Sequence, residues 1–296
     1  MAPWCWPCPP ARPADPRTDL NNTLPTVARN FRPTRPAPRS APRTAWGWAW
    51  AGALAGVLPA VVAFAPAHWL AGGVARATQG QVQLLQPRGT VWTGSAQLVL
   101  TGGQASKDSA ALPGRVDWQL RPTWGGLRAR LQAGCCTPEP LQAQVHLRWA
   151  GPQITLADGQ SQWPAALLAG LGTPWNTLQP QGQLALQTRA LAVQWAAGRM
   201  VLSGQAQLDA RAMSSRLSTL RPMGSYRLVL QGGEVPTLAL STLDGALQLS
   251  GSGQWVGNRL RFAGEASAAP EREAALSNLL NIIGRRNGAR SIITVG

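Results

Sequence analysis

The chain is poor in the side chains that catalysis and metal binding use most. It has two histidines, four cysteines and one tyrosine, with 12 acidic residues against 27 basic ones. His68 and His146 stand far apart, and no H-x-x-x-H or Cys/His cluster supplies zinc ligands. No G-x-x-x-x-G-K-[ST] run is present, so there is no P-loop. Ser214-Ser215 lacks the flanking glycines of a nucleophile elbow. Asp117, Asp158, Asp209, Glu234, Asp244 and Glu265 are isolated carboxylates along the chain. We therefore expect no catalytic residues, no cofactor, no metal and no small-molecule substrate. Lysine is scarcer still, with Lys107 alone. The net charge of +15 rests on arginines scattered along the chain. A nucleic-acid domain gathers such residues on one face, so no nucleic-acid partner is expected.

One stretch lacks charge altogether. Thr44–Val74 contains no Lys, Arg, Asp or Glu. About 20 apolar residues suffice to cross a bilayer core of roughly 30 Å. Trp46, Trp48 and Trp50 stand at one end and Trp69 at the other, where amphipathic rings favour the headgroup level. Residues 44–74 are read as a transmembrane anchor. Ala63-Phe64-Ala65 and Ala65-Pro66-Ala67 have the small-x-small pattern of a signal-peptide cleavage site. However, a signal peptide's apolar region is shorter, and the preceding segment is too long for its usual basic start. Residues 1–43 are rich in Pro, Arg and Ala and are read as a disordered tail. Arg12, Arg17, Arg29, Arg32, Arg35, Arg39 and Arg43 outnumber Asp15 and Asp19 there. By the positive-inside rule the tail is cytoplasmic and the body, residues 75–296, is periplasmic.

The body alternates with period two, the mark of a strand with one buried face. Clear runs are Gln81–Leu84, Gly94–Leu100, Val116–Leu120, Leu127–Leu131, Val145–Trp149, Gly182–Leu186, Tyr226–Leu230, Leu247–Leu249 and Arg259–Phe262. Turn signals separate them, including Gly102-Gly103, Pro113-Gly114, Gly125-Gly126, Gly232-Gly233 and Asp244-Gly245. Short connections imply antiparallel neighbours. The expected fold is mainly β: one N-terminal transmembrane helix, then an antiparallel meander with two short packing helices. The first helix is placed at Trp163–Leu171. The second opens at Pro270 and carries an apolar stripe of Leu276, Leu279, Leu280 and Ile283. Gly284 is read as its stop, and Ser291–Val295 as a final strand. Trp118, Trp149, Trp195 and Trp255, among fourteen tryptophans, are expected mostly in the core.

Two cysteine pairs remain. Cys5 and Cys8 have redox spacing but sit in the tail, outside the βαβ context such chemistry needs. Cys135 and Cys136 are adjacent, in a compartment where disulfides persist. A strained vicinal disulfide, two ordinary thiols and an intermolecular bridge are all open readings for them.

Gly89-Thr90-Val91-Trp92-Thr93-Gly94-Ser95-Ala96 resembles the G-T-[VL]-W-[ST]-G-x-A segment after the anchor in the type II secretion system protein N family. Leu243–Gly296 is similar to that family's end, with its DG turn, its strand pair, the helix REAALSNLLNIIGRR and the strand SIITVG. The resemblance covers most of residues 45–296. It implies a non-catalytic bitopic inner-membrane protein of the machine that carries folded exoproteins across the outer membrane. Its implied partners are other components of that system, the inner-membrane platform or the secretin. A second resemblance is to periplasmic AsmA-like proteins, whose curved sheets form apolar grooves for lipid. Binding is expected at edge strands by strand addition. The loop Arg285-Arg286-Asn287-Gly288 is either a dock for an acidic partner or a solvated helix end.

Overall fold

The computed structural model describes residues 46–103, 106–148, 151–196, 199–257 and 259–296. The tail 1–43, with Cys5 and Cys8, lies outside them, as does Trp149. The chain divides into two units, Met1–Gly52 and Ala53–Gly296. All described residues of the first belong to the start of α1 (Trp46–Ala63).

Helix α1 has 18 residues, no charged side chain and no buried residue. Its length is about 27 Å at 1.5 Å per residue. It is the one helix among the described residues long and apolar enough to cross a membrane. The uncharged stretch 44–74 is not a single helix, however. At Pro66 the backbone is extended and bridges to Thr90, and Val91 N–H donates to Ala65 O at 2.8 Å. Proline lacks the N–H a continuing helix would use. The chain then re-enters helix α2 (Ala67–Ala77), whose Ala67 and Leu70 pack with Ala96, Trp118 and Leu84. His68 and Trp69, expected inside the anchor, belong to this helix on the β body. The small residues Ala65 and Ala67 are buried against that body.

The body is one antiparallel sheet. Its strands are β1 (Val82–Gly89), β2 (Thr93–Thr101), β3 (Ser109–Ala111), β4 (Val116–Thr123), β5 (Gly126–Ala133), β6 (Leu141–Arg148), β7 (Gly151–Leu156) and β8 (Gly159–Pro164). A 3-10 helix, Ala165–Leu171, and the single turn α3 (Trp175–Leu178) follow. Next come β9 (Gln181–Ala196), β10 (Arg199–Ser214), β11 (Gly224–Gln231), β12 (Thr237–Gly245), β13 (Leu247–Val256) and β14 (Arg259–Ala268). After a 3-10 turn at Pro270–Arg272 the chain forms α4 (Glu273–Ile283), then β15 (Arg285–Asn287) and β16 (Arg290–Val295). Almost every strand pairs with its neighbours in sequence; β3 and β8 are short side pieces on β2 and β9. This is the mainly β meander expected from the alternation.

Register gives the sheet two chemically distinct faces, because directly opposed residues point the same way. On one face Leu84 opposes Leu98, Trp118 opposes Leu131, Val145 opposes Ile154 and Leu208 opposes Leu228. On the other Gln119 opposes Arg130, Gln144 opposes Thr155, Asp209 opposes Arg227 and Ser241 opposes Ser250. In β9 the apolar positions are even up to Thr188 and odd from Leu191. The extra residue is Ala190, at φ 46°, a bulge opposite Gly204 at φ 81°.

Helical pieces cover parts of the apolar face. Helix α2 covers the β1–β4 end. The Ala165–Leu171 helix places Leu167 on Leu112, Ala133 and Cys136. Helix α4 sets Leu276, Leu279 and Leu280 among Tyr226, Leu247 and Ala266. Two sequence readings need correction here. Trp163 and Pro164 are the end of β8, paired with Leu184 and Gln183, so the helix starts only at Ala165. Gly284 is extended at φ −166°, not left-handed. It is glycine because a Cβ there would fall 2.6 Å from Ile292 O. Of the tryptophans expected inside, Trp118 is buried, Trp255 is half-buried and Trp195 is exposed.

Candidate functional site

Three of the six isolated carboxylates of the sequence, Asp158, Asp209 and Glu265, find arginine or backbone partners. Asp209 lies on the polar face of β10, buried beneath the residues around it. Arg227 Nε and Nη2 donate to its Oδ1 and Oδ2 at 2.8 and 2.9 Å, and Gln207 donates at 3.1 Å. Arg211 stands 3.5 Å away. The paired guanidinium of Arg227, joined to it by that two-pronged bond, holds the carboxyl below its usual range against the opposing effect of burial. Glu265 meets Arg290 at 2.9 Å and Glu273 meets Arg286 at 2.8 Å. Asp158 accepts from Ala190 N–H, pinning the bulge of β9. These contacts organise the sheet.

Arg285 and Arg286, singled out as a docking loop, form β15 instead. Arg286 also donates to Gly288 O at 2.8 Å, so it ties the edge to α4. The His146 ring sits 3.3 Å from Gln144 Oε1 on the polar face, and His68 is on α2. Among the described residues no three His, Cys, Asp or Glu side chains gather as metal ligands would. A polar groove of about 550 Å³ runs between Glu139, Asp158, Gln160, Gln187 and Arg189. The sulfurs of Cys135 and Cys136 lie 2.12 Å apart, at the turn after β5, with Cys136 inside the core and Cys135 at the surface.

The remaining candidates are surfaces. The sheet has two open edges. Edge β1 is blunted by Pro87, which cannot donate, and by a bulge between Leu85 and Arg88 with Gln86 at φ 48°. Arg115 Nη2 occupies Gln86 O at 2.8 Å. The other edge is less protected. Strand β15 covers β16 only at Arg290–Ile292. From Ile293 to Val295, β16 pairs with β14 alone, and its outer side meets no strand among the described residues.

Turns at one end of the sheet carry exposed apolar groups. Trp124, in the β4–β5 turn, is fully exposed, and Leu147 near the end of β6 is 74% exposed. Just behind Trp124, Arg121 directly opposes Arg128. With Arg130, Gln119 and Gln142 they line a recess of about 150 Å³. Like charges opposed across strands are unfavourable. Among the described residues no carboxylate lies within ion-pair distance of these three arginines. The period-two pattern contained this cluster, but only the register reveals that Arg121 and Arg128 face each other.

A protein-family model described as type II secretion system (T2SS), protein N, matches residues 80–293. No curated protein and no solved structure matches the chain.

Proposed function

Since the chain belongs to the type II secretion system protein N family over residues 80–293, we propose that it is a non-catalytic inner-membrane component of that system. In this reading α1 crosses the inner membrane once, with the arginine-rich tail in the cytoplasm and the sheet in the periplasm. The sheet supports transport of folded exoproteins by contacting other components, either the inner-membrane platform or the secretin. The family match carries the reading; the wholly exposed α1 and the open outer side of β16 give it a physical form. Strand addition at Ile293–Val295 would satisfy unpaired backbone groups there and leave the body intact. In the oxidising periplasm, Cys135 and Cys136 form a vicinal disulfide.

Crosslinking an epitope-tagged copy in its native host, followed by detergent purification and mass spectrometry, tests the reading. Recovery of platform proteins or secretin is the expected result. Phospholipid or lipopolysaccharide recovered without any secretion component would overturn it. Protease added to spheroplasts should digest the body and spare a tag at the N-terminus.

A further inference from the structure

We propose that the β4–β5 turn is a second membrane contact, with Trp124 seated in the headgroup region of the bilayer that α1 spans and Arg121 and Arg128 held against lipid phosphate. The proposal rests on the anchor reading of α1.

Three observations place this turn. First, the C-terminal end of α1 is fastened to the β1–β2 turn, where Trp92 Nε1 donates to Val62 O at 2.7 Å. Second, β4 passes that point and continues. Thr93 opposes Gln119, and Leu120 N–H donates to Trp92 O. The strand then runs on to Thr123, so the turn lies beyond the level at which α1 is fastened. Third, the tip has the chemistry of an interface. Thr123 opposes Gly126 and closes a two-residue turn, in which Gly125 takes φ 79°. That tight turn thrusts Trp124 outward, 104% exposed. A tryptophan with an apolar body and one N–H donor is best accommodated at the headgroup level.

The arginines point the same way. Arg121 and Arg128 are the pair nearest the tip, they face each other, and among the described residues no carboxylate lies within ion-pair distance of them. Elsewhere on the polar face the sheet supplies such a balance, as at Asp209 and Arg227. A phosphate between two opposed guanidinium groups converts their repulsion into paired donor bonds. An acidic protein segment would satisfy the charges but would leave Trp124 unexplained. A bilayer surface satisfies both, and the anchor already brings one to this end of the sheet.

The test uses the full chain, with Cys5→Ser and Cys8→Ser, in lipid nanodiscs. Nitroxide labels are placed singly at Thr123→Cys, at Trp50→Cys in α1, and at Thr219→Cys in the connection at the opposite end of the sheet. Power saturation then compares accessibility to oxygen and to a water-soluble nickel complex. The Thr123 label should show an oxygen-to-nickel ratio well above that of Thr219. Adding Trp124→Ser should bring it down to the Thr219 value. The ratio should rise further when phosphatidylglycerol is added to phosphatidylcholine, and Arg121→Gln with Arg128→Gln should abolish that rise. If Thr123 matches Thr219 while Trp50 is immersed, the second contact is overturned and the anchor stands. If Trp50 is not immersed, both fall. Equal ratios in the two bilayers overturn the role given to the arginines.

Discussion

Tyr226 packs in the C-terminal core beside Leu247, Leu276 and Leu280, and its hydroxyl has no hydrogen-bond partner. Burying an unpaired hydroxyl costs about 1–3 kcal/mol. Tyr226→Phe should therefore raise stability by about 1 kcal/mol, seen as a higher thermal midpoint. Burial also pushes the phenol well above its ordinary value of 10. The unfolded chain ionises near that value while the folded one stays neutral, so the wild type should lose stability as pH rises above 10. The Phe variant should lack that slope. Asp209 behaves in the opposite sense. Its carboxyl is held below 3.8 by Arg227, so its contribution is complete above the unfolded value and is lost as pH falls through the folded one. Asp209→Asn should be less stable than wild type at neutral pH, and the difference should narrow below about pH 4. Denaturant midpoints between pH 3 and 7 check this; a constant difference across that range would exclude the pairing as its source.

At the scale of the element, α4 was legible because its apolar spacing was regular. Pro270 opens the 3-10 turn that leads into it, and Glu273 stands in its first turn. The stripe of Leu276, Leu279 and Leu280 is the face that is buried. Leu280→Ala should cost about 3 kcal/mol, whereas Ile282→Ala, on the exposed side, should stay within about 0.5 kcal/mol; urea unfolding of both variants measures the contrast. Strands such as β2, β4 and β5 were equally plain, since their alternation is unbroken. Strand β9 was only half read, because Ala190 shifts the apolar phase partway along it. Strands β7, β8, β10 and β12 were not singled out. Trp163-Pro164 looks like a helix start, and only the pairing with β9 keeps it extended. Pro66 read only as a kink in one helix and not as the boundary between two, since α1 and α2 are equally free of charge up to Val74. Hydropathy does not separate a helix that faces lipid from one that covers a sheet. The cluster of Arg121, Arg128 and Arg130 needed the register, which the sequence leaves open.

For the whole molecule, the order of pairing follows the order of the chain, and each strand touches little beyond its neighbours. The apolar residues gather in separate clusters: two in the β1–β9 part, under α2 and the Ala165–Leu171 helix, and one under α4. Stability in such an arrangement is a sum of local terms. Leu280→Ala should therefore speed amide hydrogen exchange in β13–β16 and leave β1–β5 at wild-type rates; uniform acceleration would mean a single cooperative unit. On the proposed reading the sheet also links two attachment points, α1 at one end and the open side of β16 at the other. A pull between them crosses the strands, along the axes of the ladder hydrogen bonds. These ladders bear load in series, so the shortest yields first. Where two strands share one partner, as β7 and β8 do on β9, they bear the load together, so the shortest is β12 against β13, held by five residue pairs from Thr237–Gln254 to Ser241–Ser250. On the proposed reading, a pull from a partner strand on β16 would open this seam first, giving the molecule a defined point of mechanical compliance.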